Sequence, residues 1–175
     1  MHQLLLLRHA KAVAEGPGLP DPARPLTARG RRDALAMGRA LHALGLQPDL
    51  VLASSARRIQ ETLECLEPWP EAPLIETIDR LYLASAPEIL RLVNEVAETV
   101  RSVMVIGHNP GLRACAVLLA APGSGPERAR RVLAEGLPTG TLVEFGCGGA
   151  WAHLAAGQAR LARVLLPRDL GDEGT

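Results

Sequence analysis

Apolar positions along this chain fall into two alternating kinds of stretch. Short unbroken runs occur at 4–7, 50–53 and 103–107, with a weaker one over Leu74–Ile78. Such runs suit strands buried on both faces of a sheet. Between them lie stripes at helical spacing. Ala34, Met37, Gly38, Leu41 and Leu44 form one, opened by Thr27 as an N-cap and closed by Gly45. A second helix is predicted over 56–66, entered through Ser54-Ser55 and stopped by Pro68 and Pro70. A third starts at Ser85-Ala86-Pro87-Glu88 and carries Ile89, Val93, Val96, Ala97 and Val100 on one face. A fourth follows Asn109, its expected cap, and Pro110, and turns Leu112, Cys115, Ala116 and Leu119 inward. Residues 141–145 and 160–165 read as two antiparallel strands flanking 146–149, and 171–175 as a frayed tail. The alternation predicts an α/β fold: a three-layer, doubly wound, mostly parallel sheet with helices on both faces. At 175 residues, with no internal repeat and no linker-like stretch, the chain is expected to form one domain over 1–175.

Two of the apolar runs stop at a histidine. The first leads into Arg8-His9, and the run at 103–107 leads into His108-Asn109-Pro110-Gly111. Ligands of open α/β sheets bind at the carboxyl ends of parallel strands, so both rings are expected at one crevice. Arg57 and Arg58 sit at the first turn of the helix after 50–53, where one of them can lean over the same edge. Spacing alone does not choose between them. Each feature also has a plain structural reading: a strand-end Arg-His pair, a ring bonded to a helix start, a solvated arginine face. Their convergence at three strand ends is what points to chemistry. Imidazole is a neutral nucleophile near pH 7, and guanidinium offers a fork of donors matching phosphate oxygens. The N–H groups opening the helix after His108 favour an anion. One histidine can attack phosphorus while the other donates to the phosphoryl oxygens, and two guanidiniums nearly neutralise a phosphate dianion. Phosphoryl transfer needs little beyond this positioning and charge.

Composition narrows the alternatives. Lys+Arg and Asp+Glu balance at 19 each, so no basic excess points to nucleic acid or an anionic membrane. Aromatics are only 2%, which leaves little to stack on bases. Cys65, Cys115 and Cys147 are odd in number and widely spaced, as suits reduced thiols of the cytoplasm. None has an arginine six positions on, which excludes a cysteine-phosphatase loop. There is no His-Glu-x-x-His or Cys-x-x-Cys, and 123–125 lacks a P-loop lysine, so neither metal nor other cofactor is expected. The run at 4–7 is shorter than a signal-peptide core, and no stretch reaches membrane-helix length. His2, His42 and His153 read as structural or exposed, Arg128, Arg130 and Arg131 as a solvated helix face, and Trp69 and Trp151 as packing residues.

Taken in order, 7–11 (Leu-Arg-His-Ala-Lys), 24–30 (Arg-Pro-Leu-Thr-Ala-Arg-Gly), 54–62, 79–82 (Asp-Arg-Leu-Tyr), 105–111 (Val-Ile-Gly-His-Asn-Pro-Gly) and the closing 166–170 (Leu-Pro-Arg-Asp-Leu) resemble the histidine phosphatases of the phosphoglycerate-mutase-like superfamily. The match is closest to the small SixA-like phosphohistidine phosphatases and spans nearly the whole chain. The resemblance implies that His9 is the phosphorylated nucleophile, that Arg8 and Arg58 bind the phosphoryl group, and that His108 is the second pocket histidine. It selects Arg58 over Arg57. Two departures, Ser54-Ser55 in place of Ser-Pro and Arg58-Ile59 in place of Arg-Ala, alter no chemical group of the pocket.

The general acid is the open point. Mutase-like and phosphomonoesterase relatives carry a Glu or Asp after the third strand, where this chain has Tyr82; Asp79, Glu76 and Asp21 are the candidates to replace it. An alkoxide needs a proton as it leaves, whereas imidazole, with a conjugate acid of pKa about 6.5, needs far less help. A site without a strong acid therefore suits phosphohistidine. About fifty positions separate Arg58 from His108 and are mostly filled by predicted elements, which leaves little chain for a lid. The expected activity is metal-independent hydrolysis of phosphohistidine on a partner protein such as a phosphotransfer domain, falling at acid pH as His9 protonates. The alternatives are a small-molecule phosphomonoesterase or mutase, and a non-catalytic phosphoprotein-binding module.

Overall fold

The leucine run at the start of the chain becomes an interior strand of a six-stranded sheet in the computed structural model, which describes residues 1–171. The tail expected at 171–175 lies, beyond Gly171, outside the described residues. Strand β1 (His2–Arg8) is flanked by β4 (Ser102–Gly107) and β5 (Leu142–Cys147). With β2 (Leu50–Ser54), β3 (Leu74–Ile78) and β6 (Ala159–Leu165), the order is β3-β2-β4-β1-β5-β6. The first four pair in parallel, and β5 runs antiparallel to both β1 and β6. The sheet is therefore mostly parallel, as the alternating pattern predicts.

Successive side chains of a strand face opposite layers, which explains why the central runs are apolar without interruption. Leu4 and Leu6 join Val103, Val105, Leu50 and Leu52 beneath α3 (Ala86–Asn94), α4 (Gly111–Leu119) and α5 (Glu127–Glu135). Leu5 and Leu7 join Met104, Ile106, Val51 and Ala53 beneath α1 (Ala28–Ala43) and α2 (Arg57–Cys65). Each buried leucine contributes about 1.5–3 kcal/mol, so both layers anchor β1 and hold its carboxyl end in place. β3 is an edge strand whose Leu74 and Ile75 stay exposed, and this accounts for its weaker signal. Among the described residues no helix is long and apolar enough to cross a membrane.

The caps of α1 form as expected: Gly30 N–H donates to Thr27 Oγ1 at 3.0 Å, and Gly45 adopts φ +64°. Gly30 also answers a contact, because a Cβ there would stand 2.1 Å from the Lys11 carbonyl oxygen. Only glycine lets α1 abut the loop that follows β1. Two local expectations change. The stripe through Val96 and Val100 does not continue α3, which stops at Asn94. A tertiary partner wins: Asn94 Nδ2 donates to the carbonyls of Trp151 and Leu154, and Trp151 Nε1 donates to that of Val100, so the turn at 151–154 captures the segment. Asn109 caps α4 from one position further out than expected: Pro110 takes the boundary position, and Asn109 Oδ1 accepts from the N–H of Arg113 in the first turn at 3.3 Å.

Candidate active site

Neighbouring strands β2, β4 and β1 deliver the expected groups to one edge. His9 follows β1, His108 follows β4, Ser54 ends β2, and Arg58 lies in the first turn of α2. The two imidazole centroids are 5.4 Å apart. Around them opens a cavity of about 220 Å³ lined by Arg8, His9, Lys11, Ala12, Asp21, Arg24, Arg58, Leu83, His108, Asn109 and Thr139. Thr62 ties helix to loop, accepting from Ala10 N–H at 3.1 Å and donating to the Arg58 carbonyl at 2.6 Å.

His9 is buried, and its Nδ1 lies 2.7 Å from the Ala10 carbonyl oxygen. A carbonyl only accepts, so Nδ1 carries the proton and Nε2 keeps its lone pair. Burial, and then the positive charges of Arg58, Arg8 and Arg24, push the ring pKa down to about 4 against the opposing pull of the Ala10 bond. The His9 ring is therefore neutral far below neutrality.

Arg58 is 1% exposed. Its guanidinium donates to the Asp21 carbonyl at 2.7 Å, to Asp21 Oδ2 at 3.1 Å and to His108 Nδ1 at 3.1 Å. Since arginine only donates, His108 Nδ1 is the accepting nitrogen, and its Nε2–H donates to Ser54 Oγ at 2.8 Å. Burial first, then Arg58 and His9, lower the His108 pKa to about 3. With both nitrogens engaged, His108 must exchange Ser54 for a phosphoryl oxygen before it can donate as the sequence suggests. Arg8 donates to the Leu137 carbonyl at 2.6 Å. The Nε–H groups of Arg8 and Arg58 are both buried without a partner among the described residues, at a cost of about 1–3 kcal/mol each.

Of the three candidate acids, only Asp21 reaches the cavity. Its carboxylate accepts from Arg24 at 2.7 and 2.9 Å, from Arg58, and from the Tyr82 hydroxyl. The Tyr82 bond, followed by the Arg24 and Arg58 bonds, holds it well below the usual carboxylate range, outweighing its burial. It is an anchor for cations and carries no proton to give at neutral pH. Asp79 is exposed at the start of the 79–81 turn, and Glu76 lines a separate hollow between β3 and α3. Arg57 faces outward to Glu61 at 2.9 Å, which leaves Arg58 as the arginine at the strand ends. Sequence reasoning did not assign Ser54 as the partner of His108, nor Tyr82 as the partner of Asp21, 61 positions away. Only the 24–30 motif drew notice to Arg24.

A model of the histidine phosphatase superfamily (branch 1) matches residues 4–81. The protein Rv1276c of Mycobacterium tuberculosis is 33% identical over 162 residues, covering 93% of this chain and 100% of that one. The chain belongs to the histidine phosphatase superfamily. As a histidine phosphatase, a hydrolase of phosphoryl groups, it shares its fold with a protein assigned as the phosphohistidine phosphatase SixA of Nakamurella multipartitia. That likeness has TM-score 0.81 and 32% identity over 95% of this chain and 96% of that one. The SixA assigned in Agrobacterium tumefaciens matches with TM-score 0.79 and 29% identity over 95% and 98% of the two chains. This histidine phosphatase thus pairs a neutral, oriented imidazole with a fixed set of cations.

Proposed function

We propose that this histidine phosphatase hydrolyses phosphohistidine on a partner protein through a phosphorylated His9. The carrying observation is the pairing of a bare His9 Nε2 with a pocket carboxylate, Asp21, that three donors hold ionised. In the first step the Nε2 lone pair forms a bond to phosphorus as the P–N bond to the substrate ring breaks. The departing ring leaves as neutral imidazole, its other nitrogen protonated from solvent. In the second, water attacks the phosphoryl group, His9 is released, and phosphate departs with the proton balance closed by solvent. Arg8 and Arg58 offset the charge of the transferring group. An imidazole leaving group makes this feasible without a carboxylic acid, whereas an alkoxide does not.

Further support comes from the chain between Arg58 and His108, most of which is taken up by the rest of α2, β3, the 79–81 turn, α3 and β4, so that little of it is left to build a lid. The substrate in this reading is a phosphotransfer-type protein, the reaction needs no metal, and the setting is the cytoplasm, where the buried free thiols of Cys65, Cys115 and Cys147 stay reduced. The test is phosphate release from a phosphohistidine protein and from a simple phosphomonoester, with His9→Ala as control and a chelator present. Preference for phosphohistidine, lost in the variant and indifferent to chelator, is expected. Preference for the ester overturns the substrate reading, and loss of activity in chelator overturns metal independence.

A further inference from the structure

Three hollows run together along the carboxyl edge of the sheet. The reaction pocket shares Arg8 and Asn109 with a groove of about 430 Å³ bounded by α4, α5 and the 166–168 segment. That groove shares Arg168 with a third hollow of about 280 Å³ on the flank of α1, which Arg32 also lines. The whole chain has as many acidic as basic residues, yet eight residues lining these hollows are arginine or lysine and three are acidic. Two of those three are engaged: Asp21 by Arg24 and Arg58, and Asp33 by Arg29 at 3.7 Å. The imbalance is therefore a property of this face and not of the composition.

Arg168 sits at the junction. It is exposed and, among the described residues, makes no ion pair, while its neighbour Asp169 is taken by Arg128 at 2.6 Å. Arg32 is likewise exposed and without an ion pair among the described residues. The backbone that carries Arg168 is packed close to the reaction pocket. Gly140 N–H lies 3.1 Å from the Arg8 carbonyl and 2.9 Å from that of His9. Gly140 has φ +76°, and a Cβ on it would stand 2.8 Å from Pro167 Cγ. The Pro167–Asp169 turn is thus packed against the backbone that holds the nucleophile, and the closing 166–170 motif acquires a role in aiming a cation beside the pocket.

We infer that this cationic track docks an acidic stretch of the phosphohistidine-bearing protein, with Arg168 and Arg32 facing carboxylates that flank the phosphorylated residue. The inference rests on the proposed function. Exposed charges act over about 8 Å at physiological salt, so the track works mainly on encounter and therefore on kcat/KM and its salt dependence.

The test uses two peptides of equal length with phosphohistidine flanked by glutamates in one and by glutamines in the other. Wild type and an Arg32→Glu/Arg168→Glu variant are compared at low and high salt. Wild type is expected to favour the glutamate peptide by roughly tenfold in kcat/KM at low salt, with the preference shrinking at high salt and vanishing in the variant. Turnover of the glutamine peptide, which keeps only the phosphoryl charge, falls by a much smaller factor than that of the glutamate peptide. A preference that survives in the variant, or an equal loss on both peptides, overturns the inference. If neither peptide is turned over, the proposed function fails instead. Affinities of His9→Ala for the same peptides carrying a non-hydrolysable phosphohistidine analogue, with and without the two reversals, then decide the docking question by the same comparison. Displacement of the glutamate peptide by an equal concentration of single-stranded DNA would assign the track to another class of partner and overturn the inference as well.

Discussion

Acidifying the protein from about pH 7.5 to about pH 5 is expected to leave His9 neutral and reactive. Burial is the first cause, and the nearby guanidiniums of Arg58, Arg8 and Arg24 add to it; together they outweigh the Ala10 bond and set the ring near 4. An ordinary imidazole with pKa about 6.5 is only about 3% neutral at pH 5, whereas one near 4 is about 90% neutral, a difference of roughly 30-fold in competent enzyme. The acid fall in kcat/KM, corrected for ionisation of the substrate, therefore lies near pH 4 and not across the ordinary imidazole range, which revises the expectation from sequence. NMR of the imidazole nitrogens gives the direct assay, with His9→Gln supplying the assignment. It should show Nδ1 protonated and Nε2 bare down to about pH 5. A midpoint at 6–7, or a proton on Nε2, would refute the reasoning. The same shift acts on stability. The unfolded ring takes a proton near 6.5 and the folded one near 4, so between these values the unfolded chain binds more protons. Stability is full above the unfolded value and is lost as pH falls toward 4, on the order of 3 kcal/mol from His9, with His108 acting in the same direction down to about 3.

Asp21→Asn removes the charge partner of a fully buried guanidinium. Breaking such a pair costs about 3–5 kcal/mol, but Asp21 is partly exposed and its carbonyl bond to Arg58 remains, so about 2 kcal/mol and a Tm lower by about 4–8 °C are expected by calorimetry. A drop below about 1 °C would mean that water already serves Arg58. Gly30→Ala forces a Cβ into the Lys11 carbonyl and should cost about 2–3 kcal/mol in urea unfolding; an unchanged midpoint would show that α1 shifts freely. Sulfate, a dianion that holds no proton of its own at about pH 6, sits against His9 and His108 and raises their pKa values, so its binding at that pH should take up part of a proton. Calorimetric binding enthalpies that do not vary with the buffer's own ionisation enthalpy would contradict this.

How much of this could be read in advance depended on the range of the forces involved. β1 and β4 were legible because strands buried on both faces leave an unbroken apolar run, and their ends place His9 and His108 at one edge by topology alone. Thr27 and Gly45 were legible because caps are local. The end of α3 was not: Val96 and Val100 keep a helical spacing, but the turn at 151–154 bonds Asn94 and the Val100 carbonyl from more than fifty positions away. The choice of Arg58 over Arg57 came from resemblance, since both fit the helix start; burial against Asp21 and His108 separates them. The ring tautomers and the Tyr82–Asp21 contact depend on side-chain directions that no periodicity encodes.

One electrostatic field ties the site together. Burial first, with Arg58, Arg8 and Arg24 adding to it, disfavours a proton on His9 and leaves its Nε2 lone pair free. The Tyr82 hydroxyl first, then Arg24 and Arg58, stabilises the charged form of Asp21, which bars that carboxyl from serving as an acid. The cations that help to keep His9 unprotonated therefore also help to keep Asp21 ionised, so the pocket that favours a neutral imidazole leaves this carboxyl without a proton at neutral pH. Strengthening the field improves capture of a phosphoryl dianion and attack upon it while doing nothing for a basic leaving group. Such a site is matched to substrates whose leaving group needs little help, and among displayed side chains imidazole meets that condition far better than the alkoxides of serine or threonine.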